Sequence, residues 1–295
     1  MQRLESALGE AADAVNRTLD RLVPSVDGAE RRVVEAMRYA LMGGGKRIRP
    51  FLVLNSARLF DVPEIGALRT AAAIEMVHSY SLVHDDLPAM DNADLRRGRP
   101  SVHRQFDEAT AILAGDGLLT QAFEVLADEE TDANPLVRAE LVLALAQAAG
   151  AAGMVGGQMI DLEAQHAKLD LEAITKLQRL KTGAIIRFSC EAGAILASAP
   201  PMERRALQLY ADDLGLAFQI ADDLLDVESS AAVTGKPVGQ DQVAGKATFV
   251  AVLGVDEARR RAKAIADHAA SNLAGFEERA DLLCEMAQFV VNRRS

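Results

Sequence analysis

Residues 66–86 read GALRTAAAIEMVHSYSLVHDD, a run whose only charged residues before the two closing aspartates are Arg69 and Glu75. Its apolar residues recur at helical spacing, and Ala71 to Val83 is apolar nearly all round. That pattern predicts a helix over 66–85 enclosed by other helices rather than lying on a surface. A second run of this kind spans 171–198. A third, Leu214 to Ile220, leads into Asp222-Asp223-Leu224-Leu225-Asp226. Further out, the spacing predicts helices over 3–21, 29–41, 50–60, 104–127, 136–153, 203–228, 248–252, 256–272 and 279–293, joined by short Gly/Pro/Asp connections. β-branched runs are scarce, and no repeat appears at a period of 20–50 residues. No stretch reads as a linker. The expectation is an all-α bundle forming a single domain, 1–295.

Composition narrows the function. A net charge of −11 over 295 residues argues against a nucleic-acid surface, which needs a basic face. Cys190 and Cys284 are the only cysteines, too few for a disulfide framework, so a reducing cytoplasmic compartment is expected. The first 24 residues carry Glu5, Glu10, Asp13 and Asp20, unlike a signal peptide. The longest apolar stretches are broken by Gly, Gln or charge, so no membrane span is expected.

The chemistry concentrates in two acidic clusters, Asp85-Asp86-Leu87-Pro88-Ala89-Met90-Asp91 and Asp222 to Asp226. Carboxylates crowded beside a hydrophobic core repel one another, and ionising all of them calls for a cation. Oxygen-only ligands suit Mg²⁺, which holds a few carboxylates, waters and a substrate phosphate. Asp222 and Asp226 stand at i and i+4 and so share one helical face, with Asp223 rotated by about 100°. They sit at a helix C-terminus, the wrong end for acids. The bland alternative is a solvated acidic face. Pro88 ends the first helix, letting Asp91 turn back toward Asp85 and Asp86. Arg96 and Arg97 then offer planar forks for phosphate oxygens.

Other candidates are weaker taken singly. Gly43-Gly44-Gly45-Lys46-Arg47-Ile48-Arg49-Pro50 places flexible backbone and three cations at a helix start, a second anion site or simply a helix–helix turn. It lacks the spacing of a Walker loop. Lys181, in Lys181-Thr182-Gly183, lies within an apolar helix and is costly there unless it meets an anion. Gln219 shares a face with Asp222, and His78 one with Asp85. Lys236 and Lys246 read as loop lysines. His84, His103, His166 and His268 show no zinc spacing.

Taken together, these motifs resemble the trans-polyprenyl diphosphate synthases, most closely the bacterial farnesyl diphosphate synthase type. The resemblance covers Gly43–Pro50, Glu75–Gly98, Gly115–Leu119, Gly153–Asp161, Lys181–Gly183, Gly215–Asp226, Gly235–Asp241 and Gly245–Thr248. It implies an isoprenoid-synthase helical bundle around a central cavity and an Mg²⁺-dependent prenyltransferase. Such an enzyme joins isopentenyl diphosphate to dimethylallyl or geranyl diphosphate, releases pyrophosphate and makes (2E,6E)-farnesyl diphosphate. By the same resemblance, Asp85, Asp86, Asp91, Asp222 and Asp226 hold three Mg²⁺, with Mn²⁺ as a substitute. Arg96, Lys181 and Lys236 bind the allylic diphosphate, Thr182 and Gln219 steady the cationic centre, and Lys246 closes the site. Lys46, Arg49, His78 and Arg97 take isopentenyl diphosphate. A homodimer is also implied.

Tyr80, five residues before Asp85 and so about 7.5 Å deeper along a helix, is expected to floor the product pocket, because Ser81 beside it is small. The alternative for Tyr80 is an ordinary core position. The chain departs from the family pattern at Asn92-Ala93, Thr234 and Phe249, none of which removes an expected charged ligand. The rival readings are a geranylgeranyl diphosphate synthase and a noncatalytic partner subunit; the second should have lost aspartates that this chain retains. A terpene cyclase would lack the second diphosphate site, and an EF-hand loop is absent.

Overall fold

The computed structural model describes residues 2–164, 169–228 and 248–293. The helices in chain order are α1 (Gln2–Leu22), α2 (Arg31–Leu41), α3 (Ile48–Arg58), α4 (Glu64–Asp85), α5 (Val102–Gln105), α6 (Glu108–Ala127), α7 (Pro135–Ala149), α8 (Met154–Ala164) and α9 (Leu171–Gln178). After a π-helical turn at Arg179–Gly183 come α10 (Ala184–Leu196), α11 (Pro201–Glu228), α12 (Phe249–Leu253), α13 (Val255–Ser271), a 3₁₀ segment at Ala274–Ala280, and α14 (Asp281–Asn292). One antiparallel pair of two-residue strands, β1 (Leu95–Arg96) and β2 (Arg99–Pro100), is the only strand structure among the described residues.

Local chemistry sets most boundaries. Asp107 caps α6 by accepting from Thr110 N at 2.8 Å, which ends the short α5 and splits the helix expected over 104–127. Asn134 caps α7 with Pro135 at its first position, Asp170 caps α9, and Thr248 caps α12. Arg47, at the N-cap of α3, takes a left-handed backbone (φ 48°).

As the periodicity implies, α4 and α10 are buried almost all round. α4 packs on α3 and α6, while α10 lies between α3, α7 and α11. Gly193 permits the α3–α10 approach, since a Cβ there would stand 2.2 Å from Ala57 N. The main core gathers α1–α4, α6, α7, α10, α11 and α14, and a smaller one joins α9, α11, α12 and α13.

Two further expectations need correction. The helix expected over 171–198 is interrupted by the π turn, and the helix expected over 136–153 ends at Ala149 and is followed by α8, which periodicity did not suggest. The most apolar 18 residues within Pro135–Ala164 have a mean hydropathy of 1.5, but the break after Ala149 leaves helices of 15 and 11 residues. Neither reaches the roughly 20 residues a membrane crossing needs.

Candidate active site

α4 ends at Asp85, as Pro88 requires, and the chain doubles back so that Asp91 N donates to Asp85 O at 2.8 Å. Asp86 is buried, and Arg96 grips it through Nε at 3.1 Å and Nη2 at 2.5 Å. The fork expected to face phosphate thus already faces a carboxylate in this state. Asp85 is half-buried; desolvation, with Asp91 and Asp86 adding to it, pushes its carboxyl up to about 6 against the pull of Lys181 and Arg96.

The π turn presents the next pair. Lys181 Nζ donates to Asp161 Oδ2 on α8 at 2.6 Å, which supplies the anion that a lysine in these surroundings requires. Thr182 Oγ1 donates to Gln219 Oε1 at 2.5 Å, tying this turn to α11 one turn before Asp222. Gln219 thereby keeps its amide hydrogens for another acceptor. Gly157 lets α8 lie against the turn, since a Cβ there would be 2.2 Å from Lys181 N.

On α11, Asp222 pairs with Arg293, whose guanidinium also stacks on Phe218 at 4.1 Å and is 7% exposed. Asp223 points elsewhere, as its 100° offset implies, and accepts from Phe249 N at 2.6 Å at the start of α12. Asp226 is half-buried. Among the described residues, no three His, Cys, Asp or Glu side chains are gathered closely enough to hold an ion between them. In this state Asp86 and Asp222 are each engaged by an arginine instead.

The glycine-rich turn divides its cations. Arg47 turns inward to the buried Glu75, with Nη2 donating to Leu41 O at 2.5 Å and to Asn16 Oδ1 at 2.9 Å. Lys46 is exposed, and Arg49 Nη1 lies 3.4 Å from His78 Nε2. Arg49 Nε is buried with no hydrogen-bond partner among the described residues. Desolvation, then the charges of Arg49, Arg97, Arg47 and Arg96, drive the His78 imidazole well below its ordinary value, so it stays neutral and accepts from Arg49. Arg97 reaches back to Gly44 O, and a Cβ on Gly45 (φ 128°) would collide with its guanidinium at 2.6 Å.

A cavity of 450 Å³ joins these parts. Arg49, His78, Tyr80, Ser81, Asp85, Lys181 and Thr182 all line it, together with Met154, Val155 and Met159 of α8. The Ser81 hydroxyl is turned to His78 O at 2.9 Å. Lys236 and Lys246 lie outside the described residues. Sequence reasoning missed Arg293, Asp161 and the α8 wall. A terminal arginine carries no local pattern, whereas the lone Asp161 could have been sought as the counter-charge of Lys181.

Known proteins of one family match this chain over most of its length. The Polyprenyl synthetase family description matches residues 30–284. Farnesyl diphosphate synthase of Escherichia coli (strain K12) is 42% identical, covering 99% of this chain and 98% of that protein. The Geobacillus stearothermophilus farnesyl diphosphate synthase is 45% identical over 88% of this chain and 87% of its own length. A crystal structure of a Zymomonas mobilis protein described as an FPP/GFPP synthase, without ligand, superposes with a TM-score of 0.90 at 47% identity, covering 98% of this chain and 99% of that one. The bundle is therefore of the isoprenoid-synthase type, and the chain belongs to the polyprenyl synthetase family of prenyltransferases.

Proposed function

We propose that this protein condenses isopentenyl diphosphate with dimethylallyl and then geranyl diphosphate, releasing pyrophosphate at each step and ending at (2E,6E)-farnesyl diphosphate. The single observation that carries the reading is the shared cavity, in which Arg49 and His78, Asp85, and the Lys181–Thr182 pair line one space with Tyr80. Two groups of cations beside one acidic cluster suit two diphosphates, and an apolar remainder suits a prenyl chain. The farnesyl product is favoured by the names of the two bacterial relatives. In our reading the whole chain works as one domain.

The donor set fits Mg²⁺. Asp85, Asp86, Asp91, Asp222 and Asp226 offer only oxygen, and the desolvated, crowded Asp85 gains from a divalent cation. These five would hold three Mg²⁺, or Mn²⁺ in its place. When bound, the metal neutralises the allylic diphosphate and makes pyrophosphate a better leaving group. Arg96, Lys181 and Lys236 add donors to that diphosphate, a fixed electrostatic environment that favours charge separation at the C–O bond.

Thr182 and Gln219, already hydrogen-bonded to each other, set oxygen dipoles beside the carbon that becomes cationic. Lys46, Arg49, His78 and Arg97 orient isopentenyl diphosphate, with the orphaned Arg49 Nε as one waiting donor. The double bond attacks the allylic carbon, and the proton then lost passes to the departing pyrophosphate. Lys246 would cover the site. Tyr80 floors the cavity, with Ser81 too small to do so.

We also read the protein as cytoplasmic, from its two cysteines, and as a homodimer, because Ile112 and Leu113 of α6 leave large apolar side chains exposed. Incubation with isopentenyl diphosphate, Mg²⁺ and each of dimethylallyl, geranyl and farnesyl diphosphate tests the function. A C15 product from the first two starters is expected. No turnover with any starter overturns the proposal, and a predominantly C20 product overturns its farnesyl part.

A further inference from the structure

We infer that His84, seated in a slot made by Gly115, is the positioning residue that holds the Tyr80 ring across the cavity and so sets product length. This rests on reading Tyr80 as the floor of that cavity. The question it answers is what holds the floor still. Tyr80 is 5% exposed, and its hydroxyl, open to the cavity, makes no hydrogen bond to another described residue. A buried tyrosine ordinarily anchors its ring through that hydroxyl. Here the orientation must come from what packs against the ring.

One turn further along α4, on the same face, stands His84. Its imidazole meets the phenol edge to face, with centroids 5.7 Å apart and planes at 77°. His84 is itself fixed from the opposite side, where its Nε2 lies 3.1 Å from the Ile112 carbonyl of α6. A carbonyl only accepts, so Nε2 carries the proton and donates. The charges facing this ring are Asp116 of α6, 3.9 Å away, and Asp85 next in the chain.

The third member is Gly115. A Cβ built there would stand 2.1 Å from His84 Nε2 and 2.5 Å from Cδ2, well inside contact distance. Its φ is not positive and the position lies inside α6, where glycine costs helix stability. What the missing side chain provides is room for the imidazole. α6 thus offers a notch and a carbonyl, His84 fills the one and bonds to the other, and its ring edge sets the face of Tyr80. Tyr80 and His84 line the cavity from α4, and α6, which supplies none of its lining, sets them from behind.

The test compares Tyr80→Ala, His84→Ala, His84→Phe and Gly115→Ala, reading product length by chromatography alongside kcat and KM for isopentenyl diphosphate. Circular dichroism checks that each variant is folded. His84→Ala is expected to raise the C20:C15 ratio about three- to tenfold, the factor that one aromatic pair is worth. His84→Phe keeps a ring and retains C15. Gly115→Ala displaces the imidazole and shifts the ratio the same way as His84→Ala, which keeps the inference testable if one variant does not fold. Longer products from Tyr80→Ala with C15 retained by His84→Ala and Gly115→Ala overturn this inference and leave the floor reading standing. Unchanged products from Tyr80→Ala remove both. A fall in kcat at His84→Ala with no change in product ratio assigns His84 a merely structural role and also overturns it.

Discussion

Glu75→Leu is the sharpest test of how the glycine-rich turn is held. Glu75 and Arg47 are paired with side chains only 3% and 1% exposed. Removing the carboxylate strands a guanidinium in the core, where the remaining partners, Asn16 and Leu41 O, are neutral. Breaking a buried pair from one side costs about 3–5 kcal/mol, since the surviving charge is left uncompensated. At about 2 °C per kcal/mol for a chain of this size, the melting temperature should fall roughly 6–10 °C. Thermal melts by circular dichroism and urea titration measure it. The double variant Arg47→Met/Glu75→Leu should recover most of the loss, because both charges are then gone. Arg47 is also the left-handed N-cap of α3, between Lys46 and Arg49, so KM for isopentenyl diphosphate should rise in the single variant. A single variant within about 1 kcal/mol of the parent, the low end for a buried unpaired group, would refute the reasoning.

Gly193→Ala drives a methyl to 2.2 Å from Ala57 N and 2.3 Å from Ser56 C, so it should cost about 1–3 kcal/mol by urea titration. Gly9→Ala in α1, where nothing lies within 4 Å, should instead stabilise by about 0.5–1 kcal/mol. Lys181→Met should lower kcat by about 10²–10³ with the fold intact, as loss of one donor to a developing anion does. Asp107, held down to about 2 by the Thr110 amide and then by Arg32, starts from an ordinary value of 3.8. Its depressed folded value means that its contribution is full above the unfolded value and fades as pH falls toward 2. Asp107→Ala should therefore be less stable than the parent at pH 6, by a margin that shrinks as pH falls through 3.8 toward 2, as melts across that range would show.

Much of the bundle was legible because its signals are local. α4 has no polar face, Pro88 stops it, and the i, i+4 spacing of Asp222 and Asp226 separates them from Asp223, which turns to Phe249 N. α8 was missed because Gly153, Gly156 and Gly157 read as breakers, whereas Gly157 is there so that the helix can approach Lys181. The π turn leaves no trace in apolar periodicity over five residues. The pairings of Asp86 with Arg96 and of Lys181 with Asp161 join residues 10 and 20 positions apart, and that of Asp222 with Arg293 spans 71. Motif spacing reports which charges are present; only the folded chain assigns them to one another.

The π turn makes the bundle sensitive to a kind of change that substitutions do not produce. A ring closed over one additional residue is equivalent to an insertion within a regular helix. Losing a single codon there, such as that for Leu180, would let α9 and α10 join as one regular helix with their outer faces still in phase, and abolish the wide turn that presents Lys181 and Thr182. The expected outcome is a chain with undiminished helical dichroism and no turnover, silenced by length rather than by the identity of any residue.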